Sequence, residues 1–378
     1  MGGGVEMSRF LFVVPPLTGH VNPTVSVARA LEARGHEVAW VAHRAAVAPL
    51  LPAGAKVFPL PEHAPQALVE DLAEKRRNAR GAAALKFLWE DFLVPLARSM
   101  RPGVEAAVSE FAPSVMVVDQ QALAGAIVAR AQKITWATTA TTSAGVVDPL
   151  AGLPQVKAWL ADLLASEGAP ELSPHLVLAF TTPALVGDAS RFPAHYRFVG
   201  PSIADRPETA SFPWDALDPS RKKVLVSMGT VNADVSGRFY ATAIEALRSE
   251  ADVQLLVAGA EIEGVLSQRY VPQLALLKQI DAVVCHGGHN TVCETLAHAR
   301  PLVIAPIKDD QPIVADQVVA AGAGLRVKFG RVQAPELRAA VRRILDEPAF
   351  TDAATRVKQS FEAAGGAAAA ALALEALV

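Results

Sequence analysis

The sequence predicts an α/β fold made of two domains, each built on a doubly wound parallel sheet. Short apolar runs that end in turn residues recur along the chain, which is typical of strands buried on both faces. Helical patterns separate these runs, and strands that alternate with helices indicate βαβ units. The chain has 378 residues, of which 51% are hydrophobic and 19% are charged. That length and composition favour two domains with large buried cores.

The first half shows the alternating pattern from its beginning. The run RFLFVVP at 9–15 predicts a buried strand, and apolar residues at three- to four-residue spacing over 25–33 predict the helix that follows. Further strands are predicted at 37–42, 114–118 and 135–138, with a helix at 123–131. We therefore expect the first parallel sheet within residues 1–200.

The pattern starts again after a proline-rich segment. Five prolines lie between positions 193 and 219, which suits a connection between domains better than a helix or a central strand. We place the linker at 201–220 and the second domain at 221–360. Its strands are predicted at 223–227, 253–258, 282–285 and 302–306, and its helices near 239–247 and 291–299. The Ala-rich segment 361–378 predicts a final helix. One arrangement open to this helix is to pack back on the first domain.

Composition argues against several classes of protein. The chain has 35 Lys and Arg against 38 Asp and Glu, a net charge of −3, which does not suit nucleic acid as a partner. The mean hydropathy of +0.27 is high, but no stretch approaches the ~20 uninterrupted apolar residues of a membrane-spanning helix. The two cysteines, Cys285 and Cys293, rule out a disulfide framework and fit no zinc motif. We expect no signal peptide and a cytoplasmic location. The sequence does not determine the oligomeric state, and a homodimer is one of the options.

Polar side chains follow two strands of the first predicted sheet. Gly19 and His20 stand between the first strand and its helix, and Asp119 closes the strand at 114–118. Neither a G-x-G-x-x-G nor a P-loop pattern occurs, which removes the main support for a nicotinamide enzyme or an NTPase. His20 is a candidate general base, with packing or capping in the turn as the alternative. Asp119 either caps the next helix or orients the histidine through a hydrogen bond.

The second predicted sheet carries a pattern suited to anions. Residues 227–230, Ser-Met-Gly-Thr, close its first strand, and the segment HGGHNT at 286–291 lies between a strand and a helix. A helix N-terminus that opens with glycines presents backbone N–H groups to a phosphate, and His286 and Thr291 add donors. A tight turn explains either segment alone, but both in one domain favour a phosphate site.

A third polar segment follows the predicted strand at 302–306. It contains Asp309, Asp310 and Gln311, whose carboxylates and carboxamide suit the hydroxyl groups of a sugar. The alternative is a solvated loop in which Asp310 or Gln311 starts the next helix. No Asp-x-Asp pair occurs, so we expect no metal site.

Together, these segments resemble the family 1 glycosyltransferases, which have the GT-B fold, and especially bacterial members that glycosylate macrolides, polyketides and similar natural products. The main resemblance lies at 270–325, which includes VVCHGGHNTVCETLAHARPLVIAPIKDDQP, and LFVVPPLTGHVNP near the N-terminus is the second match. The resemblance covers nearly the whole chain. It implies two facing Rossmann-like domains with a cleft between them, the acceptor on the first and a nucleotide sugar on the second.

The resemblance also implies roles for individual residues. His20 corresponds to the catalytic base and Asp119 to the acid that orients it. The other matches concern the donor: Ser227, Thr230, His286, Gly288 and Thr291 on the diphosphate, Tyr270, Val271 and Glu294 on the nucleoside, and Asp310 and Gln311 on the sugar. Tyr270 stands where the family commonly has Trp, which leaves the choice between uridine and thymidine open.

The implied reaction is an inverting sugar transfer from a UDP- or TDP-sugar to a hydroxyl of an apolar acceptor, without a metal or other cofactor. Aromatic residues of the first half are candidates for acceptor contacts, with core packing as the alternative: Phe87, Trp89, Phe92 and Trp136. The rival functions are a nucleotide-sugar epimerase on the same fold and a non-catalytic, glycosyltransferase-like partner protein. The presence of His20, Asp119, Asp310 and Gln311 argues against the non-catalytic partner.

Overall fold

A computed structural model of the chain describes residues 6–61, 82–142, 146, 150, 152–170, 172–203, 210–229 and 236–378. These residues divide into two compact units. The first takes its described residues from 1–180, 190–207 and 365–378, and the second from 181–189 and 208–364. Each unit contains a parallel sheet with helices, which confirms the predicted fold class. None of the helices in the described part of the chain has the length and apolar character that crossing a membrane requires.

The sheet of the first unit has seven strands within the described residues. They are β1 (Arg9–Val13), β2 (Glu37–Ala42), β3 (Val57–Pro59), β4 (Val115–Asp119), β5 (Trp136–Ala140), β6 (Leu176–Ala179) and β7 (Tyr196–Phe198). The spatial order is β3-β2-β1-β4-β5-β6-β7, and every neighbouring pair is parallel. The edge strand β7 lies in the proline-rich segment, where the sequence predicts no strand.

The sheet of the second unit repeats this plan with six strands in the described range. They are β8 (Lys222–Ser227), β9 (Val253–Ala258), β10 (Leu266–Gln268), β11 (Ala282–Cys285), β12 (Leu302–Ile304) and β13 (Gly324–Arg326). The spatial order is β10-β9-β8-β11-β12-β13, again with parallel pairs. The first strand is central in both sheets, so both are doubly wound.

The helices follow the strands in alternation. They are α1 (Thr18–Glu32), α2 (Arg44–Val47), α3 (Ala82–Lys86), α4 (Val94–Phe111), α5 (Leu123–Gln132), α6 (Pro154–Ser166), α7 (Pro183–Val186), α8 (Gly237–Leu247), α9 (Gln273–Leu277), α10 (His289–Ala297), α11 (Gln311–Ala320), α12 (Ala334–Asp346), α13 (Pro348–Ala364) and α14 (Gly366–Glu375). A π-helical stretch, Phe87–Leu93, joins α3 to α4.

The central strands bury both of their faces. Along β1, Leu11 and Val13 belong to one core cluster, and Phe10 and Phe12 belong to the cluster on the other side of the sheet. Successive side chains of a strand point to opposite faces, so a strand covered on both sides must be apolar at every position. This explains the continuous apolar run that predicts β1.

Helix α1 begins seven residues earlier than the sequence predicts. It starts at Thr18 and contains Pro23 in its interior, whereas the predicted helix begins at residue 25, beyond that proline. Proline has no N–H to donate within a helix, so a pattern-based prediction starts after it. The consequence is that Gly19 and His20 lie in the first turn of a helix and not in a loop.

The predicted final helix is two helices. Gly365 and Gly366 separate α13 from α14 and have φ angles of 84° and 56°, values that favour glycine and interrupt a right-handed helix. Helix α14 belongs to the first unit. Its Glu375 accepts hydrogen bonds from Arg34 at 2.5 and 2.7 Å and contacts His36 at 2.8 Å.

A short segment assigned to the first domain by sequence lies in the second unit. Residues 181–189, which include α7, cluster with 208–364. Leu185 packs into the core of the second unit, and Ser360 donates a 2.8 Å hydrogen bond to Thr182. Packing of this apolar residue explains why the boundary differs from the predicted one at residue 200.

Candidate active site

Both sheets reverse their strand order beside the first strand. β1 lies between β2 and β4, and β8 lies between β9 and β11. At such a switch point, the connections leave toward opposite sides and open a crevice at the carboxyl ends of the two strands, where ligands of these folds bind. The ends of β1 and β4, and those of β8 and β11, are therefore the places to examine.

A histidine and an aspartate meet at the switch point of the first unit. His20 lies in the first turn of α1, directly after β1, and Asp119 is the last residue of β4. His20 Nδ1 lies 2.9 Å from Asp119 Oδ1. The two residues are only 7% and 1% exposed. The fold thus brings together two candidates that are 99 positions apart in the sequence.

Thr141, for which the sequence predicts no role, completes this cluster. Its hydroxyl donates to Asp119 Oδ2 at 2.7 Å and lies 2.8 Å from His20 Nδ1. The backbone N–H of Gln121 donates to Asp119 Oδ1 at 2.8 Å. The signal available in the sequence was a hydroxyl residue directly beyond a buried strand, since Thr141 follows β5.

The cluster has the arrangement of a general base. An ionised carboxylate only accepts hydrogen bonds, so Nδ1 of a neutral His20 carries the proton and Nε2 is the basic nitrogen. The carboxylate also stabilises the imidazolium that forms when Nε2 gains a proton. These residues can therefore remove a proton from a hydroxyl presented to Nε2.

A second histidine occupies the switch point of the second unit. His286 directly follows β11, whose last residue Cys285 pairs with Ser227 at the end of β8. Burial lowers the pKa of His286 to about 4, and a hydrogen bond to the backbone of Ser227 offsets the shift only in part. The Nδ1 atom is buried and has no hydrogen-bond partner among the described residues. His286 is therefore uncharged at neutral pH.

Two glycines make room for the His286 ring. A Cβ atom at Gly229 would lie 2.7 Å from its Cε1 atom, and one at Gly288 would lie 2.6 Å from its Nε2 atom. Gly229 also has a φ of 74°, a conformation that other residues rarely adopt. The imidazole consequently packs directly on backbone at both positions.

Helix α10 begins at these glycines. Gly288 is the residue before the helix, and Thr291 lies in its first turn. The first N–H groups of a helix have no partner within it and carry the positive end of its dipole. The structure thus gathers Ser227, His286, Gly288 and Thr291 around the β8/β11 switch point, as an anion site requires. The predicted residue Thr230 lies outside the described residues.

The three predicted nucleoside residues differ in exposure. Glu294, on α10, is buried and accepts a 2.6 Å hydrogen bond from Gln273 of α9. Tyr270 is 65% exposed, and Val271 packs against the core of the second unit. The structure therefore fixes the carboxylate of Glu294 and leaves the Tyr270 ring open to a ligand.

The predicted sugar-binding pair lies at the start of α11. Asp310 precedes the helix and Gln311 is its first residue. Gln311 is buried, and its Oε1 atom accepts hydrogen bonds from the backbone N–H groups of Ile307 at 2.8 Å and Lys308 at 3.1 Å. The amide oxygen thus holds its own loop, and a ligand can use the amide nitrogen.

The aromatic candidates for acceptor contacts fall in two places. Phe87, Trp89 and Phe92 lie in the π-helical stretch and are partly buried, and Trp89 and Phe92 pack against the core of the first unit. Trp136 is 4% exposed within that core and is the first residue of β5. It therefore lies at the amino end of its strand, opposite the edge where ligands bind. The packing of Trp136 therefore favours the alternative of a core residue over a contact with the acceptor.

Comparisons with known proteins agree with the resemblance in the sequence. Residues 250–377 match the family model described as erythromycin biosynthesis protein CIII-like, C-terminal domain. The chain is 29% identical to 4'-demethylrebeccamycin synthase of Lentzea aerocolonigenes, over 94% of this chain and 96% of that protein. It is 27% identical to demethyllactenocin mycarosyltransferase of Streptomyces fradiae, over 100% of this chain and 88% of that protein.

Solved structures match the fold over nearly its full length. The glycotransferase of kitacinnamycin aligns with a TM-score of 0.78 and 26% identity, over 98% of this chain and 99% of that chain. The spinosyn rhamnosyltransferase SpnG complexed with thymidine diphosphate aligns with a TM-score of 0.74 and 23% identity, over 97% of this chain and 100% of that chain. The chain thus has the GT-B fold of these solved structures, its residues 250–377 match the erythromycin biosynthesis protein CIII-like model, and it is similar over nearly its full length to named natural-product glycosyltransferases.

Proposed function

We propose that this glycosyltransferase moves a sugar from a UDP- or TDP-sugar to a hydroxyl of an apolar natural product and inverts the anomeric configuration. The observation that carries the proposal is the buried contact of 2.9 Å between His20 and Asp119 at the β1/β4 switch point. The solved complexes of SpnG with thymidine diphosphate and with spinosyn aglycone support the two substrate classes.

His20 is the general base in this mechanism. Its Nε2 atom takes the proton of the acceptor hydroxyl while the hydroxyl oxygen forms a bond to the anomeric carbon. The bond from that carbon to the diphosphate oxygen breaks, and the nucleoside diphosphate leaves with the electron pair. Attack from the face opposite the leaving group inverts the configuration. Asp119 stabilises the imidazolium that results.

The diphosphate contacts come from the β8/β11 switch point of the second unit. The N-terminus of α10, with Gly288 and Thr291, and the neighbouring Ser227 and His286 supply hydrogen bonds to the leaving group, joined by Thr230. Burial keeps His286 uncharged at neutral pH, so it contributes a hydrogen bond and not a full charge. Donors fixed in advance stabilise the charge that develops as the bond breaks. The step as proposed uses no metal ion.

The nucleoside and the sugar engage the neighbouring residues. The Glu294 carboxylate, which Gln273 holds at 2.6 Å, accepts hydrogen bonds from the ribose hydroxyls. The exposed ring of Tyr270 stacks on the base, beside Val271. Asp310 and the amide nitrogen of Gln311 bind hydroxyl groups of the donor sugar.

The acceptor contacts are assigned to the π-helical stretch. Phe87, Trp89 and Phe92 are partly exposed there, and π-helical turns occur frequently at functional sites. Aromatic walls suit an apolar aglycone, as the names of the rebeccamycin and lactenocin relatives suggest for those proteins.

The proposal is tested by offering the purified protein a panel of UDP- and TDP-sugars and a set of hydroxylated apolar aglycones. Mass spectrometry should detect a glycosylated product and acceptor-dependent release of nucleoside diphosphate. NMR of the product should show the anomeric configuration opposite to that of the donor. Conversion of the donor sugar without any acceptor would instead indicate an epimerase, and retained configuration would contradict the mechanism.

A further inference from the structure

We propose that Thr141 is a positioning residue of the reaction, which holds Asp119 and His20 in the geometry that makes His20 a base. This inference rests on the proposed role of His20. It concerns a residue for which the sequence predicts no role and which acts through its neighbours.

The three side chains form a closed triangle of hydrogen bonds. Thr141 donates to Asp119 Oδ2 at 2.7 Å. The distance from His20 Nδ1 is 2.9 Å to Asp119 Oδ1 and 2.8 Å to the Thr141 oxygen. Since the hydroxyl proton points to Asp119, the lone pairs of the same oxygen accept from Nδ1–H. The Nδ1 proton therefore has two acceptors, and both hold it on that nitrogen.

Thr141 also completes the set of donors around the carboxylate. Asp119 Oδ1 accepts from Gln121 N–H at 2.8 Å and from His20, and Thr141 supplies the hydrogen bond to Oδ2. Asp119 is 1% exposed and Thr141 2%. Without the hydroxyl, a buried carboxylate oxygen loses the donor that Thr141 supplies, and the carboxylate can turn about its Cβ–Cγ bond. A turned carboxylate no longer fixes the tautomer and the orientation of the imidazole.

The strand pairing explains how Thr141 reaches this position. β4 and β5 run parallel, and Asp119 pairs with Thr139. Thr141 lies two residues beyond Thr139, just past the end of β5. Side chains two residues apart along an extended chain point to the same side, so the Thr141 side chain lies on the same side of the sheet as that of Thr139. The Thr139 hydroxyl is also buried but has no hydrogen-bond partner among the described residues. Thr139 is therefore a matched control for the loss of a buried hydroxyl near Asp119.

The experiment compares Thr141→Val, Thr141→Ser and Thr139→Val with wild type, in full steady-state kinetics with the donor and acceptor identified by the panel. Thr141→Val keeps the shape and removes the hydrogen bonds, whereas Thr141→Ser keeps the hydroxyl. We expect Thr141→Val to lower kcat by about 10- to 100-fold, the range of one hydrogen bond to a charged group. The donor KM, the Thr141→Ser variant and the Thr139→Val variant should remain close to wild type.

A second arm places Thr141→Val in the His20→Ala background. If Thr141 acts through His20, the substitution should change the residual rate of His20→Ala by no more than about twofold, because residues that act as a unit are not additive. The melting temperature of each variant shows whether it is folded. If Thr141→Val fails to fold, Thr141→Ala is compared with Thr141→Ser in its place.

Three results would overturn the inference. The first is a kcat for folded Thr141→Val equal to wild type. The second is a loss in Thr141→Val that Thr141→Ser does not restore, and the third is an equal loss with and without His20. If His20→Ala itself keeps wild-type kcat, both the inference and the proposed base are wrong. A large loss in His20→Ala with none in Thr141→Val refutes the inference alone.

Discussion

The switch points of the two units each hold a histidine, and the two histidines have opposite surroundings. His20 lies 2.9 Å from the carboxylate of Asp119, while His286 packs on Gly229 and Gly288. An adjacent carboxylate favours the protonated form of an imidazole, and burial without one favours the neutral form. The pKa of His286 accordingly falls to about 4.

In the proposed reaction, the difference between these histidines lets one topology serve two chemical tasks. The doubly wound sheet determines where a ligand meets the protein, and the residue beside the histidine determines what happens there. At β1/β4, an Asp at the end of a strand prepares the histidine to gain a proton. At β8/β11, glycines and a helix N-terminus suit an anion that only needs hydrogen bonds.

Replacing His20 with Ala should produce the largest effect on turnover. We expect kcat to fall by about 10²–10⁴, the usual contribution of a general base. The measurement is steady-state kinetics at saturating donor and acceptor. His175→Ala is the control, since this exposed histidine lies in the same unit away from the dyad. A kcat for His20→Ala equal to that of the control would remove the base from the mechanism.

The buried, neutral state of His286 should make the folded protein less stable at acidic pH. Its folded-state pKa of about 4 lies below the ordinary value of 6.5, so between those values the unfolded chain binds more protons than the folded one. The contribution of this group is complete above pH 6.5 and decreases as the pH falls toward 4. Lowering the pH from 7 to 5 should cost about 2 kcal/mol of unfolding free energy through this group.

Urea unfolding of wild type and His286→Gln at pH 7 and pH 5 measures that cost. The variant has no imidazole to protonate at this position, so its stability should decrease less on acidification than that of the wild type. The difference between the two decreases is the contribution of His286. Equal decreases in the two proteins would mean that His286 is not buried as a neutral group.

Local sequence patterns predict that His20 and Asp119 meet at the first switch point, but they do not predict that Thr141 joins them. Continuous apolar runs predict β1 and β4, and parallel pairing then places His20 and Asp119 at one edge. Thr141 depends on the pairing of β4 with β5 and on the position at which β5 ends, neither of which local patterns determine. The internal role of Gln311 likewise depends on how its own loop turns back toward it.

Trp136 is a residue whose role sequence patterns leave undecided. An aromatic residue close to a strand end suits a ligand wall and a core equally well, and the deciding fact is which end of the strand it occupies. Trp136 is the first residue of β5 and packs in the core. The break at Gly365 and Gly366 is similarly hidden, because Ala-rich sequence on both sides predicts one continuous helix.

Adding a methyl group beneath His286 should weaken nucleotide binding. A Cβ atom at Gly288 would lie 2.6 Å from the Nε2 atom of the ring, so Gly288→Ala must displace the imidazole. Overpacking of this kind costs about 1 kcal/mol or more, and we expect at least that loss in the binding of nucleoside diphosphate. Gly237→Ala is the control, because nothing lies within 4 Å of its added Cβ. Equal affinities in both variants would contradict the packing of His286 at the donor site.

Removing divalent metals should have the smallest effect. In the proposed reaction, hydrogen-bond donors at the start of α10 stabilise the leaving group, so EDTA should leave the initial rate of transfer unchanged. The control is the same assay with added Mg²⁺. A rate that EDTA abolishes and Mg²⁺ restores would require a metal ion at the diphosphate.

The central claim is that the two histidines divide the work, with His20 acting on the acceptor proton and His286 on the donor. Calorimetric titration of His20→Ala and His286→Ala with the nucleoside diphosphate released in the reaction tests this division directly. We predict that His20→Ala binds the nucleotide with the wild-type Kd, whereas His286→Ala binds it more weakly. Weakened binding by His20→Ala together with a wild-type Kd for His286→Ala would contradict the account.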